Sequence, residues 1–352
     1  MMRPDLNPER SRVALLSILL CPLLLVAGQA RGAEAPYTVR MQPLAAAGGD
    51  GVYMDYIAFD PATRLVWAPA GNTGTVAVID PASGKVRTID GLPTAEMGSG
   101  DRKRKVGPSS VTAGEGLVYV GNRADSNVCA FNSRTLARAA CHRLDSMPDA
   151  LAYVAPTREV WVTTPRDKSI RILDAATLDE KAKLTFDGNP EGFAVDTGRG
   201  RFYTNLEDKD RTLAIDLKTH KTLATWNPSC GADGPHGLRV DAAAGHLFVA
   251  CSTRTEVLDA AHDGAVLSSI DTGDGVDDID YWPAKHLLYV GAAKAGTLTI
   301  ARDDSHGKLS VVATVPTHAG ARNPAVTDQG VVYLAHSALG GLRDLVVVEP
   351  RK

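Results

Sequence analysis

Aromatic side chains are scarce in this 352-residue chain, at 5%, and cysteine is scarcer still, with five residues. Beyond Val26 no apolar run approaches the roughly 20 residues that a membrane span requires, which excludes an internal transmembrane helix. Neither sign of charge dominates. With 38 Lys and Arg against 41 Asp and Glu the formal net charge is −3, so the polybasic character of a nucleic-acid binder is missing and no such partner is expected. Catalytic signatures of fixed spacing are absent too: there is no Gly-x-Ser-x-Gly elbow, no His-Glu-x-x-His and no Gly-Lys-Ser/Thr phosphate loop. Cys141-His142 ends like a haem-attachment motif, but Arg138 stands where the first cysteine would have to be, which excludes covalent haem.

What is present begins with a leader. Arg3, Arg10 and Arg12 precede an apolar run from Val13 to Val26, after which Gly28-Gln29-Ala30 and Gly32-Ala33 offer small residues for cleavage. This layout predicts a secretory signal over residues 1–33 and a periplasmic or secreted domain over residues 34–352. Leu20 before Cys21 is too large for a lipoprotein site, so no lipid or transmembrane anchor is expected. Losing the leader removes four basic and two acidic groups, which takes the net charge from −3 to −5. Cys129, Cys141, Cys230 and Cys251 remain, and an even number in an exported chain favours two disulfides.

From Tyr56 onward one phrase recurs seven times, a small or polar residue followed by an apolar–any–apolar triplet. It opens at Tyr56, Ser110, Ala150, Gly192, Gly237, Asp278 and Ala325; after a first interval of 54 the spacing settles between 40 and 47. That period belongs to arrays of four-stranded blades. The fold expected is all-β, a single seven-bladed β-propeller. In the third blade the inner strand A runs from Leu151 to Val154, B from Glu159 to Thr163, C from Ser169 to Leu173 and D from Lys181 to Phe186. Asp opens the C–D turns at Asp80, Asp174, Asp216 and Asp303. The last blade has strand A at Pro324 to Thr327, B at Val331 to Ala335 and C at Leu345 to Val348, but no D. Tyr37 to Met41 alternates correctly to pair with Leu345–Val348 and remove the exposed edge. Register reasoning also sets Cys129 opposite Cys141 across the Asn132–Leu136 turn, and Cys230, entering the fifth blade, against Cys251 at the end of its strand B. Trp67 and Trp161 share a strand B position and are read as core, whereas Trp226 and Trp282 do not recur there, so the docking motif of eight-bladed quinoproteins is missing.

Val118-Tyr119-Val120-Gly121-Asn122 with Val128-Cys129-Ala130-Phe131-Asn132, and Phe202-Tyr203-Thr204-Asn205 with Leu213-Ala214-Ile215-Asp216, resemble the YVTN-type β-propeller repeat. Weaker copies such as Val160-Trp161-Val162-Thr163 extend the resemblance over about the whole mature chain. It implies a propeller akin to the YncE-like group, whose members serve mostly as envelope binding or accessory proteins. The motif identifies a fold and no reaction.

In a propeller the residues just ahead of strand A rim the central tunnel. Here they read Asp55, Ser109, Asp149, Glu191, His236, Asp277 and Pro324. Four carboxylates and a histidine around one axis repel unless a cation, protonation or basic neighbours compensate them, so the ring from Asp55 to Asp277 is the candidate ligand site. Asp149, Glu191, His236 and Asp277 are its candidate metal ligands: carboxylate oxygens suit Ca²⁺, and His236 admits Zn²⁺ or Mn²⁺. The same residues also open turns, where Asp is common without a ligand. Asp271, Asp274, Asp277, Asp278 and Asp280 crowd a second acidic stretch that lacks EF-hand spacing. The basic run Arg102-Lys103-Arg104-Lys105 in the first interblade connection reads as a solvated loop that can lean over the acidic rim or meet an anionic partner.

Two functions fit. The first is a non-enzymatic exported binding, accessory or scaffold protein, expected as a monomer, holding an envelope protein, peptide or small ligand on its loop face. The second is a metal-dependent hydrolase of the lactonase type, with a tunnel-mouth cation polarising a carbonyl and activating water. The chain departs from the lactonase pattern in having seven blades where six are usual, and Asp, Glu and His where the cation shell is rich in Asn.

Overall fold

The computed structural model describes residues 36–44, 51–100 and 103–351; the leader and Arg102 lie outside them. Seven four-stranded antiparallel sheets follow one another along the chain. Lettered from the axis outward, blade 1 has Ala58–Asp60, Leu65–Ala70, Thr75–Ile79 and Val86–Ile89; blade 2 has Pro108–Gly114, Leu117–Asn122, Asn127–Asn132 and Arg138–Arg143. Blade 3 is Leu151–Val154, Glu159–Thr164, Ser169–Asp174 and Glu180–Thr185, each within a residue or two of its predicted bounds. Blade 4 begins with Pro190–Asp196 and Arg201–Leu206, blade 5 with Pro235–Asp241 and His246–Cys251, and blade 6 with Val276–Trp282 and Leu287–Ala292.

Both faces of a blade are apolar because each packs on a neighbour. Strand B of blade 3 is buried throughout, whereas its strand D, EKAKLT, alternates exposed and half-buried positions. The core is therefore divided into clusters shared by adjacent blades. One joins Val66, Ala68 and Ile79 of blade 1 to Tyr333, Leu345 and Val347 of blade 7. Another packs Trp67 and Val78 against Val118 and Phe131 of blade 2. A third sets Trp161 of blade 3 on Phe202 of blade 4, ring centroids 4.5 Å apart. Trp67 and Trp161 are core, 0% and 1% exposed, as their shared position predicts.

The ring closes as expected. Tyr37–Gln42 pairs antiparallel with Leu345–Pro350, from Tyr37 opposite Pro350 to Gln42 opposite Leu345, and supplies strand D of blade 7 beside Val332–His336 and Ala321–Val326. The Arg40 guanidinium meets Glu349 at 2.8 Å across the seam. Cys129 and Cys141 face each other on strands C and D of blade 2 and are bonded, with Cα atoms 4.0 Å apart. Cys230 is bonded to Cys251 with a Cα separation of 5.2 Å. Asp side chains fold the C–D turns by accepting backbone N–H bonds, as Asp174 Oδ1 does from Ala176 at 2.9 Å and Thr177 at 3.1 Å. Leu178, in the same turn, has φ +65°, and its side chain is fully buried.

Two expectations need correction. The connection carrying the basic run is no featureless loop: Ala95–Met97 pairs with Arg104–Val106 in a two-stranded hairpin, Met97 opposite Arg104. Strand A also starts earlier than the repeat phrase suggests in blades 2, 4, 5, 6 and 7. Its pairing with strand B slips by a bulge, between Glu191 and Phe193 in blade 4 and between Arg322 and Pro324 in blade 7. Ser109, His236 and Asp277 therefore lie inside the strand as unpaired residues of the bulge, and Glu191 is the paired residue just before it, so the slip in register redirects the side chains. Pro324 follows the bulge of blade 7, and Arg322 with Asn323 takes its place on the rim.

Candidate functional site at the tunnel mouth

The predicted ring divides into two arcs of different chemistry. The first runs through blades 3, 2, 1, 7 and 6. Arg123 Nη2 donates to Asp55 Oδ2 at 2.5 Å and also to Asp149. Arg322 Nη1 lies 2.7 Å from Asp277 Oδ2, and its Nη2 lies 3.4 Å from Asp55 Oδ1. Asn323 Nδ2 ties the arc together, donating to Asp55 Oδ1 at 3.0 Å and Asp277 Oδ2 at 2.8 Å, while its Oδ1 accepts from the Asp278 backbone N–H. Two guanidiniums thus compensate three of the four ring carboxylates. Burial still pushes the Asp149 carboxyl above its ordinary range, although Arg123 pulls against it.

Among the described residues the second arc holds no arginine. Glu191 of blade 4 and His236 of blade 5 converge with Glu207, and a carboxylate oxygen from each Glu and a His236 ring nitrogen all lie within 4.8 Å of one another. His236 Nε2 is 3.1 Å from Ser252 Oγ. Its Nδ1 lies 3.3 Å from Glu207 Oε1, within ion-pair reach but out of line for a formed hydrogen bond. Burial, then the charges of Asp149 and Asp277 and the contact with Glu207, push the Glu191 carboxyl well above the usual range. Glu207 is shifted the other way, lowered chiefly by its contact with His236. Burial opposes protonation of His236, but Glu207 and the field of Asp277 outweigh it and raise the imidazole. The trio thus sets a carboxyl shifted toward its protonated form, Glu191, beside a carboxyl and an imidazole whose mutual contact favours their charged forms, Glu207 and His236.

Of the predicted metal set, then, Glu191 and His236 come together, while Asp149 and Asp277 are engaged by Arg123 and Arg322. Ser109 lies on the first arc, 5% exposed, and its Oγ is without a partner. The second acidic stretch disperses. Asp274 meets Lys294 at 3.3 Å, Asp277 meets Arg322, and Asp278 and Asp280 share Arg239, at 2.8 and 3.2 Å, so these carboxylates are divided among three cations.

Beside Arg322 and Asn323, which open strand A of blade 7, the residues missed from sequence form a column of their own. Strand B runs antiparallel to A, so the residue after B ends beside the residue that opens A. That position is Arg123 in blade 2, Glu207 in blade 4 and Ser252 in blade 5. Reading the repeat at this second offset would have found all three.

No family model and no curated protein sequence matches the chain. Among solved structures it is similar to a chain from the crystal structure of a mitotic checkpoint complex, with a TM-score of 0.71 at 15% identity, covering 97% of this chain and 99% of that one. It is also similar to a streptogramin B lyase, with a TM-score of 0.69 at 12% identity and coverages of 90% and 98%. At such identities the likeness establishes the β-propeller fold and leaves the chemistry to this chain's own residues.

Proposed function

We propose that this is an exported binding protein of the YVTN-type propeller class, with its ligand site at the tunnel mouth and a divalent cation as part of what it holds. The observation that carries the reading is the convergence of Glu191, Glu207 and His236 on the one arc without a guanidinium. Two carboxylates and an imidazole favour Zn²⁺ or Mn²⁺ over Ca²⁺, which prefers an all-oxygen shell. Ser252 Oγ, accepting from His236 Nε2–H, would fix the tautomer that leaves Nδ1 as the ligand nitrogen. The leader-like layout over residues 1–33 and the two disulfides support export, and among the described residues no helix is long and apolar enough to cross a membrane.

The test is calorimetric titration of Zn²⁺, Mn²⁺ and Ca²⁺ into chelator-treated protein, beside the Glu191→Gln/Glu207→Gln variant. Native protein should bind Zn²⁺ or Mn²⁺ with release of protons from Glu191 and His236, and affinity should rise with pH, because both groups hold protons above their ordinary ranges. Binding by neither protein, or equal binding by both, would refute the site. A lactonase-type hydrolase is the second reading, favoured by the same trio, since three protein ligands leave coordination positions for water and substrate. Zn²⁺- or Mn²⁺-dependent turnover in a lactone and ester panel, lost in the same variant, would select it.

A further inference from the structure

The paired strands Ala95–Met97 and Arg104–Val106 stand at the arginine side of the mouth beside a cleft of 610 Å³, which Lys103, Arg104, Arg123 and Arg166 line together with Met97 and Met147. Among the described residues no carboxylate lines it. Arg123 is engaged by Asp55 and Asp149, and Lys103 lies 3.4 Å from Glu96. Arg104 and Arg166 make no ion pair among the described residues. Among the described residues that line the cleft the surplus charge is therefore positive, in a chain whose overall charge is negative.

A recess of 70 Å³ shares the Tyr53, Arg104 and Arg123 wall and adds Asp55, Ser109 and Arg322. On its border the Nε donors of Arg123 and Arg322 and the hydroxyl of Ser109 are buried without a partner, and of these Arg123 also lines the cleft. Buried N–H groups are nearly always satisfied, so the open Nε of Arg123, on the wall the two cavities share, marks where an acceptor belongs. The cleft itself is of a size that holds a metabolite-sized ligand.

We propose that this cleft binds an organic anion, with a carboxylate or phosphate head between Arg104, Arg123 and Arg166 and an apolar body on Met97 and Met147. Guanidinium forks suit both heads. This inference goes beyond the cation site and does not depend on it. The test titrates octanoate, octyl phosphate and octyltrimethylammonium into the mature protein by calorimetry. Octanoate or octyl phosphate should bind saturably, the tighter of the two naming the head group, and octyltrimethylammonium should not bind. Arg104→Ala/Arg166→Ala, at two exposed positions whose truncation leaves the core untouched, should weaken the anion about tenfold or more, as two lost charge-assisted bonds imply. Glu191→Gln/Glu207→Gln should keep it. Failure of both anions to bind, equal binding of the ammonium, an unaltered arginine variant or a loss in the glutamate variant would overturn the assignment.

Discussion

Replacing Arg123 with Met keeps the unbranched stem as far as the Nε position and removes the charge that bridges Asp55 and Asp149. The guanidinium is 15% exposed and the two carboxylates 11%, so water replaces little of the lost contact. Removing one partner of a buried ion pair costs about 3–5 kcal/mol. The lower part of that range applies, because Arg322 and Asn323 still hold Asp55. Asp149 has no second cation, and its carboxyl, already raised by burial, must rise further in the variant. A carboxyl whose folded pKa lies above its unfolded value destabilises as pH rises through that window. The loss should therefore be larger at pH 7.5 than at pH 5, because protonation of Asp149 relieves it as pH falls. Guanidinium unfolding at the two pH values measures it, and Arg123→Met/Asp149→Asn should recover at least half of the loss. A cost below about 1 kcal/mol at pH 7.5, an equal cost at both pH values, or no recovery in the double variant would refute the coupling of this arc, since each contradicts an uncompensated buried charge.

Burial pushes the His336 imidazole down to about 4, so between that value and its ordinary pKa near 6.5 only the unfolded chain takes up the proton. Stability should fall as pH drops through that window, by up to about 3 kcal/mol from this residue alone. His336→Gln should flatten the pH dependence of the unfolding midpoint, and an unchanged slope would count against it. The two disulfides should separate by function: Cys230→Ser/Cys251→Ala frees the loop that enters the His236 strand and should abolish cation binding, whereas Cys129→Ser/Cys141→Ser, on the rim of blade 2, should leave it intact. Equal effects in calorimetry would disconnect the Cys230–Cys251 bridge from the site.

The blades were legible because a propeller writes one sheet seven times, so a turn or strand that is ambiguous in one copy is fixed by the others. Blade 3 and the pairing of Tyr37 with the last strand follow from alternation alone. The bulges at Glu191 and Arg322 were not legible, since a bulge changes register without changing the apolar pattern on either side. Half of the site was hidden for a related reason. The residues that open strand A stand beside the repeat phrase, but Arg123 and Glu207 follow strand B and meet them only through antiparallel pairing. The hairpin at 95–106 was read as loop because its charged residues mask the alternation that marks a strand.

The strand that completes blade 7 is made first and its partner last. Tyr37–Gln42 can find Leu345–Pro350 only after the intervening blades have been synthesised, and joining segments some 300 residues apart carries a large closure entropy. Until then the blade 7 edge is open to a strand from another molecule, and an early Tyr37–Gln42 segment is open to one from an incomplete copy. Assembly therefore has a clasp that engages at the end. Changes to Arg40 or Glu349 should alter the yield of monomeric folded protein more than its equilibrium stability, because they act on a competition that is over once the ring has shut.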